Sequence, residues 1–228
     1  MSEQRTRAPG MDYGSDRHVL VVGLWHLGTV AAACWTRLGW TVTAYDPAPE
    51  RIAGLARGRP PVAEPGLAEL ISAGVSSGRL RFTNELGSAA AASRLAVVAF
   101  DTPVDDEDRP DLTPVEEAVG ALGRSMPGGS VIVLMSQVPV GTSRALQGHL
   151  DAEREPGSVS IVCSPENLRL GQAIDRFLSP GFVILGAADA PALGMAGRLF
   201  EGVAGQLLPM DATSAELCKH YINAYLAT

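Results

Sequence analysis

The stretch Val19-Leu20-Val21-Val22-Gly23-Leu24-Trp25-His26-Leu27-Gly28 decides the fold, because it joins an unbroken apolar run to two glycines five residues apart. Four apolar residues without polar alternation suit a strand buried on both faces, as in a parallel sheet covered by helices. Gly23 then turns the chain tightly at the strand end, and Gly28 lets the next helix pack close to the sheet. Asp46 closes a second β-branched run 23 residues after Gly23, where a dinucleotide fold places the acid that accepts hydrogen bonds from ribose hydroxyls.

Further apolar runs continue the pattern. Strands are expected at His18 to Val22, Thr41 to Tyr45, Leu95 to Phe100, Ser130 to Met135, Val159 to Cys163 and Phe182 to Gly186, separated by Ala-rich, helix-length segments. Helices are expected at Ala190 to Glu201 and Asp211 to Thr228, with Asp211 as N-cap of the last. The fold class is therefore α/β: a doubly wound, Rossmann-type parallel sheet with a C-terminal helix that ends abruptly. The expected divisions are a disordered polar leader over 1–17, a dinucleotide-binding domain over 18–210, and the start of a further helical unit over 211–228.

Composition bounds the partners. With 46% hydrophobic residues the chain can bury a sizeable core, and a net charge of −7 argues against a nucleic-acid or anionic membrane surface. No apolar run is long enough to span a bilayer. Cys34, Cys163 and Cys218 show neither a disulfide framework nor metal spacing, so no metal is expected and a reducing cytoplasm fits. Arg-for-Lys and Ala/Gly-rich usage hints at a GC-rich bacterial genome.

Asp46 would repel a 2′-phosphate, so the implied cofactor is NAD and not NADP. Gly23, Trp25, Leu27, Gly28, Asp46 and Arg51 are the expected nucleotide contacts, Arg51 stacking near the adenine. Trp25 departs from the pattern: the middle glycine of GxGxxG, which lets the backbone approach the pyrophosphate, is here an indole. A turn that merely packs strand on helix, without binding dinucleotide, stays open as the alternative.

Lys219 is the only lysine beside 17 arginines, so a position that kept lysine implies a need for a compact ammonium. Asn223 follows at i+4 on the same helix face, and the two can converge on one ligand hydroxyl. Glu166, on the turn after a strand at the sheet's carboxyl edge, can order a water or act as base; a helix N-terminal acid beside Pro165 is the alternative. His26, His220, Cys163 and Cys218 read as packing or helix-surface residues, and Asp105 to Asp108 as a solvated acidic loop.

Five segments together resemble the UDP-glucose/GDP-mannose dehydrogenase family, in the family's order. Glu64-Pro65-Gly66-Leu67 with Arg79-Leu80-Arg81-Phe82-Thr83 resembles its EPGL segment and following strand, and Asp101-Thr102-Pro103 its TP cofactor loop. Ser136-Gln137-Val138-Pro139-Val140-Gly141-Thr142 resembles STVPVGT, and Ser164-Pro165-Glu166-Asn167-Leu168-Arg169-Leu170-Gly171 its PEFLREG segment. Ala215-Glu216-Leu217-Cys218-Lys219 with Asn223 resembles the helix bearing the catalytic lysine and asparagine.

The resemblance implies NAD-dependent oxidation of a nucleotide sugar, a UDP-hexose first. Thr102, Pro103 and Ser136 would join the cofactor contacts; Lys219, Asn223, Glu166 and Gln137 would be catalytic; and Glu166, Asn167, Leu168, Lys219 and Asn223 would meet the sugar nucleotide. Asp101 stands where Gly or Asn is usual, Gln137 replaces threonine, Asn167 phenylalanine and Leu170 glutamate. The family's second oxidation uses a cysteine in a later half, which no cysteine here matches, so a partial enzyme is expected. Two other readings stay open: a binding module that holds NAD or a nucleotide sugar without turnover, and the N-terminal half of a split enzyme. Leu217, Tyr221, Ala224, Tyr225 and Leu226 make the last helix too apolar for free solvent, so a homodimer or a partner chain supplying the C-terminal half is expected.

Overall fold

A computed structural model describes residues 17–226 apart from Asp108 and Asn167. The side chains of Asn223 and Leu226, the expected leader up to Asp16, and the last two residues also lie outside the described residues. Arg17 belongs to the folded body: its guanidinium pairs with Glu201 at 2.8 Å and its carbonyl accepts from the Thr41 amide.

The elements run β1 (His18–Val22), α1 (His26–Arg37), β2 (Thr41–Tyr45), α2 (Pro49–Ala56), α3 (Leu67–Ser76), β3 (Leu80–Thr83), α4 (Leu86–Ala91), β4 (Leu95–Val98) and α5 (Thr113–Ser125). They continue as β5 (Ser130–Leu134), α6 (Thr142–Glu153), β6 (Val159–Cys163), α7 (Ala173–Leu178), β7 (Phe182–Gly186), α8 (Ala190–Gly197), β8 (Gln206–Met210) and α9 (Ala212–Leu226).

One sheet of eight strands has the order β3-β2-β1-β4-β5-β6-β7-β8, so the doubly wound α/β fold is as expected. Neighbouring strands are parallel except β6 and β7, which meet antiparallel through Cys163 and Gly186. The central strands are sealed on both faces, which is why they read as continuous apolar runs. Val19, Val21, Val97 and Val133 pack into one core with the Ala-rich α1; Leu20, Val22, Val98 and Ile132 pack into another beneath α5 and α6.

Some boundaries differ from expectation. β4 stops at Val98 and β5 at Leu134, because Phe100 and Met135 turn over the sheet edge and line a cleft. The helix expected to reach Glu201 ends at Gly197 and tightens into a 3₁₀ turn, Arg198–Phe200. β8 was not foreseen: it is a half-exposed edge strand carrying Pro209, and an edge is where a sheet tolerates proline. Asp211 does cap α9, its carboxylate accepting from the Ser214 amide at 2.9 Å.

The strand order reverses between β1 and β4. At such a switch point the following connections leave to opposite faces, and a crevice opens at the carboxyl ends.

Candidate functional site

The crevice has two neighbouring parts. The first is the glycine loop between β1 and α1. Gly23 holds φ +94°, and a Cβ there would lie 2.9 Å from the Phe100 ring; a Cβ on Gly28 would lie 1.8 Å from the Gly23 carbonyl. Both positions therefore exclude any side chain, as the strand-turn-helix reading required. Trp25 is the N-cap of α1 and makes no side-chain cap, so no capping side chain from this residue occupies the amides of the first turn. Such amides, at the positive end of a helix dipole, suit a pyrophosphate.

Asp46 sits at the end of β2, fully buried. Its Oδ2 accepts from the Leu24 amide and from Arg51 Nη1, each at 2.8 Å, and its Oδ1 from the Ala48 amide at 3.0 Å. The sequence reading left this carboxylate open to ribose hydroxyls; here its oxygens are already engaged. Arg51, on α2, does not stand free for an adenine either: its guanidinium lies 5.1 Å from the Trp25 ring centroid and pairs with Asp46.

The second part is a cleft of about 340 Å³ at the carboxyl ends of β1, β4, β5 and β6. Of the residues singled out from sequence, Leu27, Thr102, Pro103, Ser136, Gln137, Glu166, Leu168 and Lys219 line it together. The Thr102 hydroxyl donates to the Gln137 carbonyl at 2.6 Å, joining the β4 and β5 loops. Ser136 Oγ is buried and has no hydrogen-bond partner among the described residues. A buried hydroxyl so placed is costly unless a ligand completes it. The excluded Cβ positions, the helix end free of a side-chain cap and this hydroxyl fit a dinucleotide; Trp25 and the engagement of Asp46 by Arg51 are at odds with it. Asn167 lies outside the described residues, and Asn223 is placed only by the backbone of α9, one helical turn after Lys219.

Lys219 Nζ donates to the Glu166 carbonyl at 2.5 Å. Burial pushes the Lys219 ammonium below its ordinary pKa, and the Glu166 carboxylate opposes that shift. The carboxylate itself accepts from the Leu168 amide and so closes its own turn.

Two buried acids that the sequence reading passed over position these groups. Glu216, three residues before Lys219, accepts from the Gly141 amide at 2.6 Å and the Ser143 amide at 2.7 Å, at the start of α6. His220 Nε2 lies 3.1 Å from the Val138 carbonyl, so α9 is fastened to the 138–143 segment on both sides of Lys219. Glu64, the first residue of the Glu64-Pro65-Gly66-Leu67 segment, accepts from the Gly171 amide at 2.9 Å and the Ala173 amide at 2.8 Å, and meets His26 Nε2 at 3.0 Å.

Burial pushes the Glu64 carboxyl up, but those two amides and the imidazole outweigh it and hold the group below its ordinary pKa. His26 is thus no surface or packing residue: it lines the cleft beside Asp101, whose carboxyl burial raises against the pull of His26 and Arg51. The signal available in sequence was an acid set before Pro65-Gly66 and an imidazole at the first turn of α1, both next to motif residues.

Among the described residues no cysteine lines the cleft. Burial pushes the thiols of Cys34 and Cys163 up to about 12, and Cys218 packs its sulfur 3.9 Å from that of Met210.

Comparison with known proteins bears on this geometry. Residues 17–204 match the model of the UDP-glucose/GDP-mannose dehydrogenase family, NAD binding domain. The chain is 33% identical to the UDP-glucose 6-dehydrogenase TuaD of Bacillus subtilis, over 93% of its own length and 46% of that protein. A UDP-glucose dehydrogenase from the archaeon Pyrobaculum islandicum superposes with a TM-score of 0.87 at 33% identity, covering 96% of this chain and 52% of the other. A GDP-mannose dehydrogenase from Pseudomonas aeruginosa, at 23% identity and a TM-score of 0.86, shares the fold over 92% of this chain and 50% of its own. The chain spans about half the length of the curated relatives it matches.

Proposed function

The chain belongs to the UDP-glucose/GDP-mannose dehydrogenase family and carries that family's NAD-binding domain; from this premise we propose that it is the NAD-holding part of a nucleotide-sugar dehydrogenase, oxidising the hydroxymethyl group of a UDP-hexose. The observation that carries the proposal is Lys219, the sole lysine, half-buried in the cleft and held against the Glu166 turn by a helix that Glu216 fastens.

NAD, when bound, supplies the hydride acceptor. Gly23, Gly28 and the first turn of α1 would hold its pyrophosphate, and Thr102, Pro103 and Ser136 the part that reaches into the cleft. As the C–H bond of the sugar alcohol gives up hydride, the hydroxyl must lose its proton and negative charge grows on its oxygen. The Lys219 ammonium stabilises that charge, with Asn223 as a second donor. Glu166 takes the proton through an ordered water, Gln137 lying on the same wall. Glu166, Leu168 and Asn167 would contact the sugar nucleotide.

A second oxidation, from aldehyde to acid, needs a thiolate placed to trap the aldehyde. Cys34 and Cys163 are buried thiols and Cys218 faces Met210, so this part by itself performs at most one hydride transfer. The exposed Tyr221 and Tyr225 on α9 support a partner at that face, a second copy or a C-terminal half. No helix among the described residues is long and apolar enough to cross a membrane, and a cytoplasmic site of action fits the three free thiols.

The test follows NADH per sugar with UDP-glucose and GDP-mannose, for this chain alone and with a C-terminal half added. One NADH or fewer per sugar from the chain alone is expected; two would refute the argument from the thiols. Bound NAD and nucleotide sugar with no NADH under any condition would replace catalysis by the second reading, a binding module, which Trp25 in the glycine loop favours.

A further inference from the structure

Trp25, Arg51 and Asp46 form a stack that the dehydrogenase reading does not require. Asp46 is completely buried at the end of β2, though the fold places a ribose acceptor there. What covers it is the Arg51 guanidinium, 2.8 Å away, and what covers the guanidinium is the Trp25 indole at 5.1 Å. Trp25 remains 43% exposed at the N-cap of α1, with the Arg51 guanidinium over its ring.

We propose that Trp25 sets the cofactor affinity of this chain: it clamps Arg51 onto Asp46 and closes the adenosine-ribose subsite, so that NAD binds by displacing the clamp. The proposal rests on the NAD-binding reading of the domain. Two contacts hold the clamp, a cation–π stack and an ion pair, both near the surface. Each contributes up to about a factor of five in such settings, so the clamp is strong enough to lower affinity and weak enough to be displaced. Asp46 keeps its amide bonds from Leu24 and Ala48 when Arg51 leaves, so the freed part of the carboxylate can accept a ribose hydroxyl in a preformed orientation.

The three tryptophans make the motion measurable. Trp35 and Trp40 are buried, so quenching of tryptophan fluorescence by acrylamide reports mainly on Trp25. The experiment combines that quenching with calorimetric titration of NAD, on the intact chain and on Trp25→Gly, Trp25→Leu and Arg51→Ala. Arg51→Ala uncovers the indole and raises quenching without any cofactor; saturating NAD raises quenching of the intact chain in the same way. Trp25→Gly, which removes the cation–π stack and leaves the ion pair, binds NAD up to about fivefold more tightly. Trp25→Leu, which removes the ring face but keeps an apolar side chain, shifts affinity in the same direction if the glycine variant does not fold.

NAD binding that is no tighter in either Trp25 variant, with quenching unchanged by saturating NAD, overturns the clamp and leaves the NAD-binding reading standing. Failure of NAD to bind both the intact chain and the Trp25 variants overturns the two together.

Discussion

On the β2 side of the cleft, the Asp46 carboxylate meets partners closer in sequence: Leu24 lies 22 residues away, Ala48 two and Arg51 five. On the β6 side, Glu64 reaches amides 107 and 109 residues away, and Glu216 amides 75 and 73 residues away. The cofactor side is thus built by local chain, and one of its ties is a side chain that a rotamer change can release. The side proposed to meet the substrate is built by long-range ties to backbone amides, which move only if whole segments move. A hydride transfer asks for this division: the cofactor must come and go, whereas the groups that meet the reacting hydroxyl must stay within a fraction of an ångström.

The sharpest way to break the comparison is at Lys219. In any form of the protein that turns over, Lys219→Ala should lower kcat by about 10²–10³, the usual loss for one donor aimed at developing charge. Lys219→Arg should be nearly as damaging, since a planar guanidinium cannot take the same place against the Glu166 carbonyl. NAD affinity, measured by calorimetry, should stay within about twofold in both, because the lysine lies on the side fixed by α9. A parallel loss of NAD binding would mean that the two sides are not separable.

Next in size is the tie itself. Glu216→Ala leaves the Gly141 and Ser143 amides without an acceptor in a buried setting, which should destabilise the fold by about 2–3 kcal/mol in urea titrations. It should also slacken Lys219, so the variant ought to lose kcat beyond what its folded fraction explains. An unchanged kcat in the folded fraction would show that His220 and the packing of Ala215 suffice to seat the helix.

The same contrast explains what could be read in the sequence. β1, β2, β6 and β7 match their expected bounds, since each is a short apolar run whose neighbours supply the turn. The tight turn at Gly23 and Gly28 was legible because it depends on local geometry, and the gathering of Thr102, Ser136, Glu166 and Lys219 at one cleft through a resemblance spread over five segments. Glu64, Glu216 and His26 were not legible as ties. An acidic side chain carries no mark in sequence of being buried, and its partners here stand 38 or more residues off. β8 was missed for another reason: an exposed edge needs little hydrophobic signal, and Pro209 argues against a central strand. Engagement of Asp46 by Arg51 was within local reach, five residues away, but stacking near the adenine was the competing role.

Acid sharpens the comparison at Glu64. Its carboxyl is held below the ordinary value in the folded chain by the amides of Gly171 and Ala173 and by His26, despite its burial. A depressed folded pKa contributes stability that is fully present above the unfolded value, about 4.3, and is lost as pH falls through the folded one. Glu64→Gln should therefore cost about 1–2 kcal/mol at neutral pH, with the gap to the intact chain closing as pH drops below about 4. Urea midpoints across that range test this, and a gap that is constant with pH would mean the tie does not depend on the charge.

The smallest expected effect lies on the local side, at Asp46. Replacing the carboxylate by an amide removes the charge that faces a 2′-phosphate and at the same time loosens Arg51, whose guanidinium is then free to pair with that phosphate. Both changes act in one direction, so Asp46→Asn should narrow the preference for NAD over NADP. The step should be modest, about fivefold, because Arg51 is a partly exposed cation whose pairing is screened by water and salt. One of the two amides, Leu24 or Ala48, keeps the side-chain oxygen as acceptor while the other faces the new amide nitrogen and loses its bond, so the end of β2 is loosened but keeps one tie and NAD should still bind. Calorimetric titration of both dinucleotides into the intact and variant chains measures the change. If the intact chain already prefers NADP, Arg51 and not Asp46 governs the subsite, and the side built from local contacts selects its ligand by the very residue that now covers it.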